Sequence, residues 1–317
     1  MTRLVFTTIM VLIVFPSFGQ ININEDSIDL KIPYIKVTLL GTGTPPPLME
    51  RFGPSILVEA GSETLLFDAG RGCLQRLRQI NRTYEKISAL FLTHLHSDHI
   101  VGLPDLWLTG WLISERRKPL NVFGPAGTND MLMHLQKAFA FDIKLRIEND
   151  KQVKEGSKLL GKEIQQGTIY QKGGVKVTAF NVDHYDNIPA FGYRIDYNGH
   201  SVVLSGDTRY SENLIKFAKG TDVLVHEVVV APDTMSKSNP RYNIFMQHTT
   251  PEQVAKVFNE VKPKLGVYSH ISKLYGQVEE DIMRRTKATY LGPLIMGEDL
   301  MSILISNTVS TNKWQNK

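Results

Sequence analysis

The run "THLHSDH" at residues 93–99 sets His94, His96, Asp98 and His99 close together, directly after the apolar run "ISALFL". Imidazole nitrogens and carboxylate oxygens at this density are donors for a divalent cation. Side chains alternate along an extended backbone, so His94 and His96 point the same way. Beyond the strand, a turn can swing Asp98 and His99 towards a second ion. Other apolar runs also end in titratable residues: His184 in "NVDH", Asp207 in "SGDT", His226 with Glu227 in "VHE", and His270 in "YSH". A lone histidine at such a place is more often a satisfied core residue. Many such strand ends in one chain each carry a desolvation cost unless they meet a common partner. A shared metal site removes that cost, and the donor set suits zinc better than manganese or iron. The one thiol, Cys73, lies in "GRGCLQRL" and reads as core, so disulfides within the chain are excluded.

Such ligands need strands to hold them. "YIKVTLL", "SILVEA", "TLLFDA" and "SALFLT" are short and apolar, separated by Gly, Pro and Ser-Glu turn signals. "GCLQRLRQI" and "NDMLMHLQKAFAF" carry apolar residues at helical spacing. A second set follows, with "VKVTAFNVDH", "AFGYRIDY", "HSVVLSGD", "DVLVHEVVV" and "KLGVYSH" as strands and "SENLIKFAKG" and "PEQVAKVFNEV" as helices. Thr250 is the expected N-cap of the last helix, with Pro251 at its first position. Strands then helices, twice over, predict an α/β fold: two sheets face to face with helices outside, a four-layer αββα sandwich. His134 in "MLMHLQKAF" and His200 in "NGHS" read as structural.

The ends of the chain read differently. Arg3, the apolar stretch Leu4–Phe15 and the small residues Ser17 and Gly19 describe a secretory signal peptide over residues 1–19. The stretch is shorter than the ~20 residues of a spanning helix, and no cysteine follows it, so no stable membrane anchor is expected. The expected location is periplasmic or secreted. Residues 20–33 read as a polar linker, 34–306 as the folded domain, and 307–317 as a polar, frayed tail. At 317 residues, 42% hydrophobic and 21% charged, the chain can bury a large core. A net charge of +4 gives no polyanion-binding footprint at this length.

Together, "THLHSDH", "LFDAG", "NVDH", "SGDT" and "VYSHIS" resemble the motifs of the metallo-β-lactamase superfamily, over Tyr34 to Ser306. The resemblance implies the αββα sandwich of that family and two zinc ions per chain. It assigns His94, His96 and His184 to the first ion, Asp98, His99 and His270 to the second, and Asp207 as the carboxylate bridging both. Asp68 of "LFDAG" would brace the histidine loop, and His226 would lie just behind the ligands. "LLGTGTPPP", "FDAGRG", "THLHSDHIVGLPDL", "VLVHE" and "HTTPEQVA" resemble ribonuclease Z and the metal-dependent arylsulfatases related to it. "AGRGCLQRL", "DLWLTGW", "VTAFNVDH", "PAFGYRIDY" and "VVLSGDTRYSENL" look more like the arylsulfatase branch.

The chemistry this resemblance implies is ester hydrolysis by a metal-bound hydroxide, because coordination lowers the pKa of water from ~15.7 towards ~7. His248 in "QHTTPEQ" would protonate the leaving oxygen, oriented by Glu227, with Asp98 beside them. The leading expectation is an arylsulfatase-like enzyme acting on a small-molecule sulfate or phosphate ester. Three features point away from nucleic acid. Residues 146–174 read as a helix or loop plus a strand of mixed charge, without the basic arm by which ribonuclease Z grips tRNA. The charge balance lacks a phosphate-binding excess, and a signal peptide separates the enzyme from tRNA. The alternatives are a ribonuclease Z-type phosphodiesterase processing tRNA 3′ ends, a lactonase- or thioesterase-type hydrolase, and an exported metal-binding protein without turnover. Lactam hydrolysis fits less well, because β-lactamases of this fold generally lack a carboxylate at the place of Asp207. "RFGPS", "WLTGWLISERRKP" and "SKSNPRYNIF" are candidate pocket walls, with Arg51, Arg116 or Arg241 to meet an anion. A homodimer is common among such relatives.

Overall fold

The computed structural model describes residues 33–82, 84–186 and 188–315. The expected leader over 1–19, and the linker as far as residue 32, lie outside the described residues. No helix among the described residues is long and apolar enough to cross a membrane.

Two mixed sheets form the centre. The first holds β1 (Ile35–Gly41), β2 (Ser55–Ala60), β3 (Glu63–Phe67), β4 (Ala89–Phe91), β5 (Leu120–Gly124) and β6 (Leu159–Glu163). The second holds β7 (Gly167–Lys172), β8 (Val175–Tyr185), β9 (Ile188–Tyr197), β10 (His200–Leu204), β11 (Val223–Val230), β12 (Leu265–Lys273) and β13 (Leu294–Met296). The chain then returns to the first sheet with β14 (Ser302–Ile305) and β15 (Val309–Asn312), giving the orders 15-14-1-2-3-4-5-6 and 13-12-11-10-9-8-7. β3 to β6 run parallel, as do β10 to β13. Their carboxyl ends meet at one edge of the sandwich, and the functional side chains gather there.

Between the sheets, Val37, Leu39, Phe67 and Phe91 face Tyr193, Ile195, Val202 and Val267. Phe67 stacks on Phe91 at 5.0 Å and Tyr193 tilts against Phe67 at 5.2 Å. Each such buried ring contributes about 1.5–3 kcal/mol. Helices cover the outer faces. α1 (Cys73–Gln79), α3 (Leu103–Leu112) and α4 (Thr128–Ala138) pack Leu77, Leu106, Trp107 and Leu132 on the first sheet. α6 (Glu212–Ala218), α8 (Pro251–Val261) and α9 (Glu279–Lys287) pack Leu214, Val254, Phe258 and Ile282 on the second. The result is the four-layer αββα sandwich. The shorter α2 (Ser97–Ile100), α5 (Ala140–Glu148) and α7 (Tyr242–Phe245) complete the chain. Thr250 caps α8 in a capping box with Gln253. Cys73 is buried, and burial pushes its thiol up to about 12.

Three expectations change. The tail beyond residue 306 is not simply frayed: Val309–Asn312 pairs antiparallel with β14, Ile305 opposite Val309. In the "WLTGWLISERRKP" segment, the two tryptophans and the first arginine are core support, while Ile113, Glu115, Arg117 and Lys118 are exposed. Trp107 and Trp111 are buried and donate their indole N–H groups to Ser157 O and Val153 O at 3.1 and 2.9 Å. Arg116 is buried with them and donates to Trp107 O at 2.8 Å. Arg51 is likewise buried, held by Glu279 at 2.8 Å and Gly297 O at 2.7 Å, so neither arginine is free to meet an anion. Arg241 is exposed and lies over the Tyr275 ring at 5.6 Å.

Candidate metal centre

β4 ends at Phe91, and the chain continues extended through His96 into α2, which carries Asp98 and His99. The remaining ligands come from the second sheet, two of them from broken strand register. In β8, Val182 pairs with Ala190 and Tyr185 with Ile188, so one extra residue stands on the β8 side and His184 sits in the bulge. In β12 the same happens between Tyr268 and Ile271, which pair with His226 and Val228, and His270 sits in that bulge. His270 and Asp68 also adopt left-handed backbone, φ 45° and 57°. Such strain costs on the order of 1–3 kcal/mol in a non-glycine residue and collects at functional sites.

The structure brings seven side chains together. His94, His96, His184 and Asp207 offer donor atoms within 4.8 Å of one another, and Asp98, His99 and His270 form a second set. Asp207 is the hub: its Oδ2 lies 3.3 Å from His270 Nε2, 3.4 Å from His99 Nε2 and 3.9 Å from His94 and His184 Nε2. His184 Nε2 is 3.3 Å from His96 Nδ1, and Asp98 Oδ2 is 3.4 Å from His270 Nε2. Two ligand atoms each ~2.1 Å from one tetrahedral ion lie ~3.4 Å apart, so this spacing fits shared cations better than direct hydrogen bonds. The buried His94 Nε2, His99 Nε2 and Asp207 Oδ1 have no partner among the described residues, which is the signature of a donor set built for a metal.

The donors differ in protonation: burial opposes charge on His99, but Asp207 and Asp68 outweigh it and hold that ring well above its usual range. Burial holds His94 well below its usual range, leaving a neutral ring with a lone pair to give. Burial alone would push Asp207 up, but His270 and His99 outweigh it and keep the carboxyl well below the usual carboxylate range.

Behind the donors, Asp68 accepts from His99 Nδ1 at 2.7 Å and from Thr93 N and Oγ1 at 2.8 and 2.9 Å. Thr93 Oγ1 in turn accepts from His94 Nδ1 at 3.0 Å. One carboxylate thus fixes the tautomer of two rings, in the manner of the carboxylate–histidine brace of metal sites. His184 Nδ1 donates to Gln247 O at 2.9 Å. The sequence offered no sign of Thr93, whose hydroxyl acts here while its type reads as an ordinary strand residue.

His248 stands at the rim, its ring 5.1 Å from His184 and 5.5 Å from His270. Its Nδ1 faces Glu227 Oε2 at 3.3 Å, and Thr249 N donates to the other oxygen of that carboxylate at 2.8 Å. Burial opposes charge on His248, yet Glu227 outweighs it and lifts the ring to about 9. A cation beside it would work in the opposite direction. His226, expected just behind the ligands, points elsewhere. Alternation along β11 sends its ring towards Phe258 of α8, 6.2 Å away, and its Nδ1 donates to Glu227 O. His134 is exposed on α4 and His200 lies 3.9 Å from Asp222, both away from the cluster.

Comparison with known proteins agrees with this architecture. The Beta-lactamase superfamily domain model matches residues 63–271. The chain is 36% identical over 275 residues to the ribonuclease Z of Mycolicibacterium gilvum, covering 86% of this chain and 96% of that protein. It is 35% identical over 270 residues to that of Mycobacterium bovis, covering 84% and 96%. Among solved structures, the metallo-beta-lactamase fold protein YhfI from Bacillus subtilis superposes with a TM-score of 0.67 at 20% identity, over 89% of this chain and all of that one. The short form of human tRNase Z gives 0.62 at 22%, over 84% and 98%. The expectation of a small-molecule partner with nucleic acid set aside is overturned by the relatives named ribonuclease Z. The fold, the donor cluster and the relatives agree that the chain belongs to the metallo-β-lactamase superfamily, in its ribonuclease Z-like branch, and is a metal-dependent hydrolase of phosphodiester or ester bonds.

Proposed function

We propose that this chain is a ribonuclease Z-type phosphodiesterase that cuts RNA with two zinc ions. The observation that carries this is the 36% identity to a ribonuclease Z along 96% of that protein's length. The sulfate-ester expectation had only sequence strings behind it and gives way.

His94, His96, His184 and Asp207 would hold one ion, and Asp98, His99, His270 and Asp207 the other. Bound there, the ions would lower the pKa of coordinated water towards neutrality and neutralise charge on the phosphate. The chain's own groups do the rest. Asp68 holds the His99 ring directly and the His94 ring through Thr93, so both present Nε2 to the site. His248 gives its proton to the leaving ribose oxygen as the P–O bond breaks, and Glu227 keeps that ring oriented and stabilises its charged form.

The test uses purified protein with zinc, a short single-stranded RNA, bis(p-nitrophenyl) phosphate and p-nitrophenyl sulfate. The RNA and the diester should be cut, with activity lost to chelator and restored by zinc. Turnover of the sulfate alone would overturn the assignment.

We also propose that residues 1–19 are removed on export. The RNA would then be met outside the cytoplasm, and the substrate is RNA as a class rather than a tRNA precursor. Amino-terminal sequencing of protein from its native host should begin near Gln20. Intact Met1 in the cytosol would sink export and bring tRNA precursors back as the substrate.

A further inference from the structure

The bulge in β8 does more than aim His184. In an unbroken strand Tyr185 would face away from its neighbour. The extra residue instead lets both rings lie together. The Tyr185 ring meets His184 at 4.8 Å and 89°, and His96 at 5.2 Å and 88°. Both partners belong to the first donor set. Among the described residues, no other tyrosine, phenylalanine or tryptophan ring contacts a ligand histidine, and none stacks flat on Tyr185. The side chain is half-buried, while Asp186 and Ile188 beside it are exposed, so the ring stands at the rim of the cluster.

We propose that Tyr185 is a stacking platform for the base of the nucleotide that keeps the cleaved phosphate. This rests on the phosphodiesterase reading above. His248 and Tyr185 share His184 as a neighbour, but His248 also lies against His270 of the second donor set, whereas Tyr185 also lies against His96 of the first. The leaving oxygen belongs beside the proton donor, which puts the retained nucleotide towards Tyr185. Every base offers a π-face, and stacking needs no hydrogen-bond readout. The platform therefore selects an unpaired nucleotide at this position without choosing its base. Tyr185 binds substrate here and takes no part in proton transfer.

Thymidine 5′-(p-nitrophenyl phosphate) and methyl p-nitrophenyl phosphate share a leaving group and differ in the base on the retained side. The zinc-loaded wild type should prefer the thymidine ester. Tyr185→Ala should lose roughly tenfold in kcat/KM on that ester, through KM, with the methyl ester unchanged. Tyr185→Phe and Tyr185→Trp should keep the wild-type preference. Calorimetry should show the same loss for thymidine 5′-phosphate binding to Tyr185→Ala, and none for methyl phosphate. Equal losses on both esters would overturn the platform, as would a loss in Tyr185→Phe as large as in Tyr185→Ala. Release of metal from Tyr185→Ala would also overturn it, making the ring a support for His96 and His184. If the wild type turns over both esters equally well, the platform alone fails. If it turns over neither, the phosphodiesterase reading fails and takes the platform with it.

Discussion

The two ends of β3 each anchor a buried acid, and the two are used in opposite ways. At the start of the strand, Glu63 is surrounded by donors: the Tyr170 hydroxyl, Lys172 Nζ at 3.2 Å and Ser62 Oγ at 3.2 Å. Tyr170 and Lys172 belong to β7, so this contact fastens one sheet to the other. Just past the far end, Asp68 braces a cluster in which acceptors outnumber donors, with His94 Nε2, His99 Nε2 and Asp207 Oδ1 buried and unpaired. A buried acid whose partners are complete is a fastener, and one set among unpaired acceptors marks a place built for a cation.

The hardest break to that contrast is at its hub. Asp207→Ala should drop turnover to background and cost metal from both sets, because one carboxylate serves each. Metal analysis together with circular dichroism reads this, and a folded variant that keeps two ions would contradict the shared role. His248→Ala should keep its metal and lose ~10²–10⁴-fold on an unactivated diester. With p-nitrophenol as leaving group the loss should be small, since that group departs without a proton. Equal losses on both substrates would make His248 a positioning residue. Asp68→Ala should weaken metal affinity ~10–100-fold, the usual cost of removing a carboxylate that orients ligand histidines. Titration against a competing chelator measures it, and unchanged affinity would leave Asp68 with a purely structural part.

At the opposite end, Glu63→Gln should leave metal content and turnover alone and reduce stability by about 1–3 kcal/mol. Burial pushes the Glu63 carboxyl up, but Tyr170 and Lys172 outweigh it and hold it below its ordinary 4.5. A depressed acid contributes its stabilisation fully above the ordinary value and loses it as pH falls through the lowered one. The Tm gap between wild type and Glu63→Gln should therefore be steady near neutrality and close at pH values below about 4.5. A gap that widened in acid would show that the charge of Glu63 is not what fastens the sheets.

The donor cluster was legible because its chemistry is concentrated: no ordinary turn needs three histidines and an aspartate in seven residues. The four layers were legible from the repeated change of period between strands and helices. What escaped has physical causes. An inserted strand residue leaves no mark in residue type, so the bulges at His184 and His270 could not be read. The resemblance set His226 behind the ligands, but it alternates with Glu227 along β11 and its ring lies on the Phe258 side. Trp107 and Trp111 look alike on a pocket wall or in a core, and only their indole bonds to Ser157 and Val153 decide. β15 is polar because an edge strand can be held by its ladder alone, with little to bury.

β1 lies inside its sheet, between β2 and β14, with Ile35 opposite Ile305. Asp299 adds to this closure, accepting from Thr42 N at 2.9 Å and Phe52 N at 2.7 Å. A ribosome delivers the chain amino end first, so β1 is made long before β14, the neighbour that covers one of its edges. Until residues 299–305 emerge, β1 has one open edge and the nascent first sheet is unfinished. Contacts this distant in sequence slow folding through the entropy of closing the loop between them. The order of synthesis therefore keeps the first sheet open beside β1 until β14 exists, and β14 acts as the latch on a strand that has waited for it.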